Sequence, residues 1–356
     1  MSDQKTLTYH EQLYIEYTLR LRNILKTLPT FAREYFRAIE PRTSAKTRIS
    51  YSYDIRVFFQ FLIDNNPIYK DYQTNQFQIS DIENLQSVDI EEYQEYLKVY
   101  RNAEDKQVLN KEKGISRKMS ALRSFFQYFY KRQVISNNPT LLVDMPKLHE
   151  KAIIRMDLDE VSRLLEYIEH CGDTLTGQKK VYHEKTKYRD LAIVTLLLGT
   201  GVRVSECVGL DLDHVDFKQS SIKVTRKGGN EAIIYFGDEV EEALMNYITI
   251  VRTQTEALSG HERALFLSTQ KRRMGVQAVE NMVKKYAQVV TPNKHITPHK
   301  LRSTYGTALY QETSDIYLVA EVLGHKDVNT TKKHYAQIDE SRMRKAANAV
   351  KLRENL

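Results

Sequence analysis

The sequence predicts a mainly α-helical protein with one small β-hairpin, divided into two domains. Apolar and aromatic residues recur at three- and four-residue spacing through most of the chain, which is the period of an amphipathic helix. Side chains alternate in the manner of strands only on the two sides of Gly228-Gly229. The 356 residues exceed the size at which one hydrophobic core usually stops growing, and 41% hydrophobic residues suffice for two cores.

The first half is expected to form a small helical bundle. The helical period runs through residues 9–27, 43–64, 89–100 and 116–132. Glycine is lacking before Gly114, so few sharp turns are available for strands. The period is then lost at residues 137–151, NNPTLLVDMPKLHEK, which contain two prolines. We therefore predict a helical domain over residues 1–150 and a second domain over residues 151–356.

The second half is expected to combine helices with the hairpin. A helix over residues 157–170 is capped by Asp157 or Asp159, and a polar stretch then precedes a very apolar helix, residues 191–198, ended by Gly199-Thr-Gly201. The segment SIKVTRKGGNEAIIYF, residues 221–236, predicts the hairpin. Helices resume at residues 238–251 and continue to the end of the chain.

Composition favours a cytoplasmic protein with a polyanionic partner. No run approaches the 18 or so apolar residues of a membrane span, and the first residues lack the layout of a signal peptide. We therefore expect no membrane insertion. Cys171 and Cys207 form neither a disulfide framework nor a metal-binding cluster. The formal net charge of +7 suits a nucleic acid, although many proteins without such a partner are equally basic.

One basic segment is the candidate contact to the DNA backbone. Residues 111–132 contain seven Lys or Arg and the single acid Glu112, whereas residues 81–95 contain six acids and no base. Phosphate contacts from a helix here would make binding salt-dependent. The candidates are Lys111, Lys113, Arg117, Lys118 and Arg123. A solvated helix face without a ligand is the alternative.

Four motifs lie in a fixed order in the second half. They are GTGVRVSE at 199–206, RKGG at 226–229, TPHKLR at 297–302, and LGH at 323–325 followed ten residues later by Tyr335. Together they resemble the catalytic signature of the tyrosine recombinase, or phage integrase, family over roughly residues 152–345. The resemblance implies a SAM-like core-binding domain in the helical first half and a mixed α/β catalytic domain in the second.

The motifs supply the residue types that phosphodiester chemistry needs. Arginine can donate two hydrogen bonds to a phosphate and stays charged at physiological pH, so Arg203 and Arg302 are expected to clamp the scissile phosphate. Glu206 is placed to orient Arg203; a surface ion pair of these two residues is the alternative. His299 lies three residues before Arg302, a spacing that shares a helix face. His325 follows Gly324, where it can donate to phosphate or cap the preceding helix.

The resemblance also implies which residue forms the covalent bond to DNA and which residue donates a proton to the leaving group. Tyr335 is the implied nucleophile, and an ordinary phenol, with a pKa near 10, needs nearby arginines to ionise. Lys227 is the implied general acid for the departing 5′ oxygen. The family's hairpin usually carries further basic residues and a proline where this chain has other residues, and Lys223 is therefore the alternative. Neither metal-ligand spacing beside these residues nor a nucleotide-binding loop occurs, so we expect no cofactor.

The family's known activity gives the functional expectation. It implies a site-specific recombinase that acts as a homotetramer on two duplex DNA sites with inverted repeats and exchanges strands through a Holliday junction. Size and the lack of an obvious extra arm-binding domain look like the Xer branch, particularly its single-recombinase type, which resolves chromosome dimers, with a DNA translocase at the division septum as a possible partner. A mobile-element integrase, a type IB topoisomerase and a non-catalytic DNA-binding protein are the alternatives. The C-terminal helix would contact a neighbouring protomer or its own domain.

Overall fold

The computed structural model describes residues 7–102, 104–149, 154–226, 228–325 and 328. The chain divides into two compact units, residues 1–151 and residues 152–356. Both are mostly helical, and each carries a small antiparallel sheet. The predicted fold class is therefore confirmed.

Within its described residues, the first unit contains six α-helices and one short hairpin, besides short 3-10 turns. The helices are α1 (Tyr9–Leu25), α2 (Ala32–Ile39), α3 (Ala45–Asn65), α4 (Ile79–Glu83), α5 (Ser87–Tyr96) and α6 (Glu112–Lys131). Helix α3 begins where Ser44 accepts a hydrogen bond from the Thr47 amide, as an N-cap serine does. Aromatic rings from α3, α5 and α6 fill the core, with Phe58 packed edge-on against Tyr93 at 5.0 Å between centroids.

The hairpin of the first unit was not predicted. Strands β1 (Val99–Arg101) and β2 (Gln107–Leu109) pair antiparallel, and β1 begins inside the segment 89–100 for which the sequence predicts a helix. Polar side chains shape this turn in place of glycine. Asn102 Oδ1 accepts from the Lys106 amide at 2.9 Å, and Asp105 adopts a left-handed conformation with φ of 56°. The lack of glycine was therefore a wrong argument against strands.

The second unit surrounds the long helix α8 (Gly177–Thr200). Its other helices are α7 (Leu158–His170), α9 (Val204–Val208), α10 (Asp238–Asn246), α11 (Val276–Val290), α12 (Pro298–Thr313) and α13 (Ile316–Leu323). A π-helical turn, Tyr247–Arg252, continues α10. The sheet has the order β3 (Val215–Asp216), β4 (Ser221–Thr225) and β5 (Glu231–Tyr235), all antiparallel. The predicted hairpin is β4–β5, with Lys223 opposite Ile233.

Helix α8 begins at Gly177, about four turns before the apolar segment, residues 191–198, that predicted it. The polar stretch after Gly177 is helical because one of its faces is buried with its polar groups paired. Arg189 donates to Asp190 through Nε at 2.9 Å, and Tyr286 donates to the same carboxylate at 2.9 Å. Buried polar groups are tolerated when they are hydrogen-bonded in this way. None of the helices in the described ranges is long and apolar enough to cross a membrane.

Candidate active site

The C-terminal end of α13 is the point at which separate elements of the second unit meet. The last carbonyl groups of a helix have no partner within the helix. Here three consecutive carbonyl oxygens each accept a hydrogen bond from an arginine: Arg226 Nη2 donates to Val322 at 3.0 Å, Arg302 Nη2 to Leu323, and Arg203 Nη2 to Gly324 at 3.2 Å. These arginines come from the β4–β5 hairpin, α12 and the start of α9. One helix end therefore gathers three guanidinium groups that lie far apart in the sequence.

Arg203 is held in place by the turn that ends α8. Gly201 adopts a left-handed conformation with φ of 64°, and a Cβ at this position would lie 2.8 Å from Leu323, so glycine alone fits. The chain then enters α9 with Arg203 at its N-cap. Buried Glu206 accepts from the Arg203 amide at 2.9 Å and from Nη1 at 2.8 Å. The ion pair between Arg203 and Glu206 is therefore present, and the orienting role of Glu206 stays a prediction.

Arg302 is the most buried of the three arginines. Its residue is 5% exposed in α12, and its Nη1 donates to the Gly201 carbonyl while Nη2 donates to Leu323. Helix α12 begins with Pro298 at its first position after Thr297, as expected, although the Thr297 side chain makes no capping hydrogen bond. His299 lies exposed in the first turn of this helix, one turn before Arg302.

His325 leaves α13 through a left-handed glycine. Gly324 has φ of 61°, and the His325 amide donates to the Ala320 carbonyl at 2.9 Å. This is the backbone pattern that closes many helix C-termini. The half-buried His325 therefore directly follows the carbonyl that Arg203 contacts.

Arg226 was missed by the sequence analysis, which considered only the lysine of the same RKGG motif. Its guanidinium packs against Gly324, where a Cβ would lie 2.5 Å from Arg226 Cζ. Its Nε is buried and has no acceptor among the described residues. Leaving such a donor unpaired usually costs about 1–3 kcal/mol. A third arginine therefore occupies the site at an energetic cost.

The site is suited to an anion. Carbonyl oxygens are neutral acceptors, so their contacts position the three guanidinium groups without cancelling formal charge. The carboxylate of Glu206 forms an ion pair with Arg203 and so offsets the charge of that guanidinium. A planar guanidinium group can grip phosphate oxygens bidentately. The chemistry that the geometry favours is charge stabilisation at a phosphate group.

Comparison with known proteins identifies the family. Residues 154–342, more than half of the chain, match the phage integrase family, and residues 32–133 match its N-terminal SAM-like domain. The tyrosine recombinase XerC of Caldanaerobacter subterraneus subsp. tengcongensis is 33% identical over 320 residues, which cover 88% of this chain and 84% of the relative. The chain belongs to the tyrosine recombinase (phage integrase) family.

Solved structures of tyrosine recombinases share this fold. A post-cleavage complex of the XerH site-specific recombinase with palindromic difH substrate aligns with a TM-score of 0.60 and 19% identity, covering 82% of this chain and 78% of that chain. The Tn1549 transposon integrase in complex with circular intermediate DNA aligns with a TM-score of 0.59 and 21% identity, covering 86% and 95%. Both likenesses concern the fold.

Two predicted recombinase residues, Lys227 and Tyr335, lie outside the described residues, as does the predicted C-terminal helix. Their roles stay predictions. The alternative lysine, Lys223, lies on strand β4, and its Nζ is 2.9 Å from Glu231 across the hairpin. Of the predicted residues, the structure brings Arg203, Arg302 and His325 to one helix end.

The predicted basic face of α6 is only partly exposed. Lys111 and Lys113 face solvent at the start of the helix. Lys118 is 8% exposed and its Nζ lies 3.8 Å from the buried Asp54, so this lysine belongs to the interior of the unit. The remaining two candidates are also engaged by the protein: Arg117 donates to Asp54, and Arg123 to the Val143 carbonyl. Because Lys118 is buried, the five candidates do not form one solvent-facing surface, and DNA contact by these residues stays a prediction.

One group in the described ranges has metal-ligand spacing. Ligand atoms of Asp211, Asp213 and His214 lie within 4.8 Å of one another. The Asp211 carboxylate pairs with Arg273 and Arg263, and Arg263 also pairs with Asp213 at 2.7 Å. These carboxylates therefore serve ion pairs within the protein.

Proposed function

We propose that this tyrosine recombinase cuts and rejoins duplex DNA at a specific site through a covalent 3′-phosphotyrosine on Tyr335 and a Holliday junction. The observation that carries the proposal is the convergence of Arg203 and Arg302 on adjacent carbonyl groups at the end of α13, beside His325. A phosphodiester is a poor electrophile because its negative charge repels a nucleophile, and two guanidinium groups offset that charge most strongly in the transition state.

Each bond in the proposed reaction has a residue assigned to it. The Tyr335 phenol releases its proton to solvent as its oxygen attacks phosphorus, the bond from phosphorus to the 5′ oxygen breaks, and Lys227 gives the departing oxygen its proton. Arg203 and Arg302 hold the non-bridging oxygens, and His299 and His325 donate further hydrogen bonds to them. Ligation is the reverse attack by a 5′ hydroxyl. Because the phosphotyrosine retains the energy of the broken bond, the reaction requires no ATP. Because Arg203 and Arg302 stabilise the charge on the phosphate, it requires no divalent metal ion.

The proposed substrate is a pair of duplex sites with inverted repeats, bound by a homotetramer. The likeness to Xer recombinases supports resolution of chromosome dimers as the biological role, with a DNA translocase at the septum as a partner. XerH, which shares the fold, was solved with a palindromic substrate. Integration of a mobile element is the second candidate, favoured by the comparable likeness to a transposon integrase. A matching inverted-repeat site in the host chromosome, or neighbouring mobile-element genes, decides between them.

A nicked suicide substrate tests the proposed chemistry. Loss of a short fragment after cleavage prevents religation, so the wild-type protein should accumulate a covalent adduct with DNA in EDTA, mapped to Tyr335. Tyr335→Phe should bind the same DNA with unchanged affinity and form no adduct. An adduct that persists in this variant would refute the nucleophile, and cleavage that requires a metal ion would refute the metal-free mechanism.

Two further assays separate the remaining alternatives. A type IB topoisomerase would relax a supercoiled plasmid that lacks a recombination site, whereas the proposed recombinase leaves it supercoiled. A non-catalytic DNA-binding protein would bind the suicide substrate without forming any adduct. The first result or the second would replace the recombinase proposal.

A further inference from the structure

Arg226 connects the hairpin to the end of α13. Its backbone closes the β4–β5 turn, because the Arg226 amide donates to the Asn230 carbonyl at 2.7 Å and its carbonyl accepts from Gly229 at 3.1 Å. Its side chain reaches the other element and donates to Val322 at 3.0 Å. One residue thus ties the tip of the hairpin to the turn that carries His325.

The fit between Arg226 and α13 is close. Gly324 leaves room for the guanidinium, and a Cβ at position 324 would displace it from its present place. The carbonyl that Arg226 contacts also belongs to the same row that holds Arg302 and Arg203. A displacement of the hairpin therefore breaks a contact within the arginine cluster.

We propose that Arg226 is a positioning residue that holds the adjacent Lys227 at the scissile phosphate by anchoring the hairpin to α13. Consecutive Cα atoms are 3.8 Å apart, so fixing the backbone of one residue limits in general where its neighbour can lie. The inference rests on the proposed function, in which Lys227 is the general acid. In this scheme Arg226 acts on the departing 5′ oxygen through Lys227, whereas Arg203 and Arg302 hold the non-bridging oxygens.

A sulfur substrate distinguishes positioning of the acid from binding of the phosphate. When a 5′-bridging oxygen is replaced by sulfur, the leaving group is a thiolate, which departs without a proton because thiols ionise near neutral pH. A variant that lacks only a well-placed acid cleaves this substrate at the wild-type rate. A variant that has lost phosphate binding or its fold stays slow on both substrates.

The experiment measures single-turnover cleavage of matched oxygen and sulfur suicide substrates by four proteins. These are the wild type, Arg226→Ala, Lys227→Ala, and the control Lys218→Ala, which removes an exposed positive charge from the turn between β3 and β4. Arg226→Ala should cleave the oxygen substrate about 100-fold more slowly, the cost expected of a small misplacement of a catalytic group. It should cleave the sulfur substrate within about threefold of the wild type, because general acid catalysis is no longer required. Lys218→Ala should match the wild type on both.

The outcomes separate failure of this inference from failure of the proposed function. If Lys227→Ala is slow on both substrates, Lys227 is not the general acid and the proposal falls with that assignment. If Lys227→Ala is rescued by sulfur but Arg226→Ala is not, the positioning role alone is overturned. Unchanged cleavage by Arg226→Ala overturns it as well. Arg226→Lys, which retains a donor and the charge, carries the same comparison should the alanine variant fail to fold, and its loss should be smaller.

Discussion

Removal of the Asp54 carboxylate should destabilise the first unit strongly. Asp54 is 3% exposed in α3 and accepts from Arg117 Nη2 at 2.8 Å, with Lys118 Nζ at 3.8 Å. Asp54→Ala leaves both cations without their acid. The Arg117 side chain is 48% exposed and can turn into water, whereas Lys118 is buried. The stranded charge is therefore that of the lysine.

The size of the effect follows from this difference in burial. Breaking a buried ion pair by removing one partner costs about 3–5 kcal/mol, and we expect about 3 kcal/mol because Arg117 escapes to solvent. In a unit of this length such a loss lowers the melting temperature by about 6–12 °C. Lys118→Met removes the buried ammonium group itself and leaves Asp54 paired with Arg117. This variant should therefore lower the free energy of unfolding by about 1 kcal/mol or less.

The double variant gives the decisive comparison. In Asp54→Ala with Lys118→Met no buried charge is stranded, so the double variant should be more stable than Asp54→Ala alone by about 1 kcal/mol or more. Urea and thermal unfolding measure these differences, with exposed Lys113→Ala as a control that should change stability by less than about 0.5 kcal/mol. Equal or additive losses would refute the interior assignment of Lys118.

Alkaline pH provides an independent check on the same residue. Burial lowers the pKa of Lys118 below its ordinary value of 10.5, and Asp54 opposes this shift. A lysine whose folded pKa is lowered binds fewer protons in the folded state, so stability rises as the pH climbs from the folded pKa towards 10.5. Removal of Asp54 lowers the pKa further. The deficit of Asp54→Ala should therefore shrink as the pH rises, and a deficit that grows would contradict the assignment.

Three more predictions concern DNA contact, the α13 turn and acid stability. Lys113→Ala should reduce the slope of log affinity against log salt by about 1 if this exposed lysine contacts a phosphate, and an unchanged slope in binding titrations would exclude that contact. Gly324→Ala should cost about 1–3 kcal/mol in thermal unfolding, since alanine is strained at φ of 61° and its Cβ collides with Arg226; wild-type stability would contradict this packing. The pKa of Glu160 is raised by burial, but hydrogen bonds from Lys294 and the Asp157 amide outweigh burial and lower it below 4.5. The stabilising effect of the Glu160 carboxylate is therefore present above that pH and is lost as the pH falls through the folded pKa. Unfolding across pH 2–7 should show Glu160→Gln approaching the wild type at the acid end, and a constant difference would refute the linkage.

The sequence predicted most helices because their apolar period reports directly which face is buried. The helix prediction failed where the buried face consists of polar residues that pair with one another. The segment from Gly177 to Asp190 is too polar to reveal a buried face, since Arg189 and Asp190 satisfy each other inside the protein. The β1–β2 turn failed for a related reason, because Asn102 and Asp105 supply a conformation that is usually sought in glycine.

The prediction of functional residues was limited for the same reason. Lys118 was predicted to contact DNA although it is buried, and Arg226 was not predicted although it lies in the site. Charge alone predicted Lys118 on a DNA-binding surface, yet its ammonium group is buried beside Asp54, which lies 64 positions earlier in the chain. Arg226 drew no attention beside the motif lysine, yet its guanidinium reaches a carbonyl 96 residues away. A basic residue can contact a phosphate only if the fold leaves its charge unneutralised and within reach, and both conditions depend on distant partners. Local spacing can therefore propose Arg203 and Arg302, but only the packing around α13 shows which cations share their site.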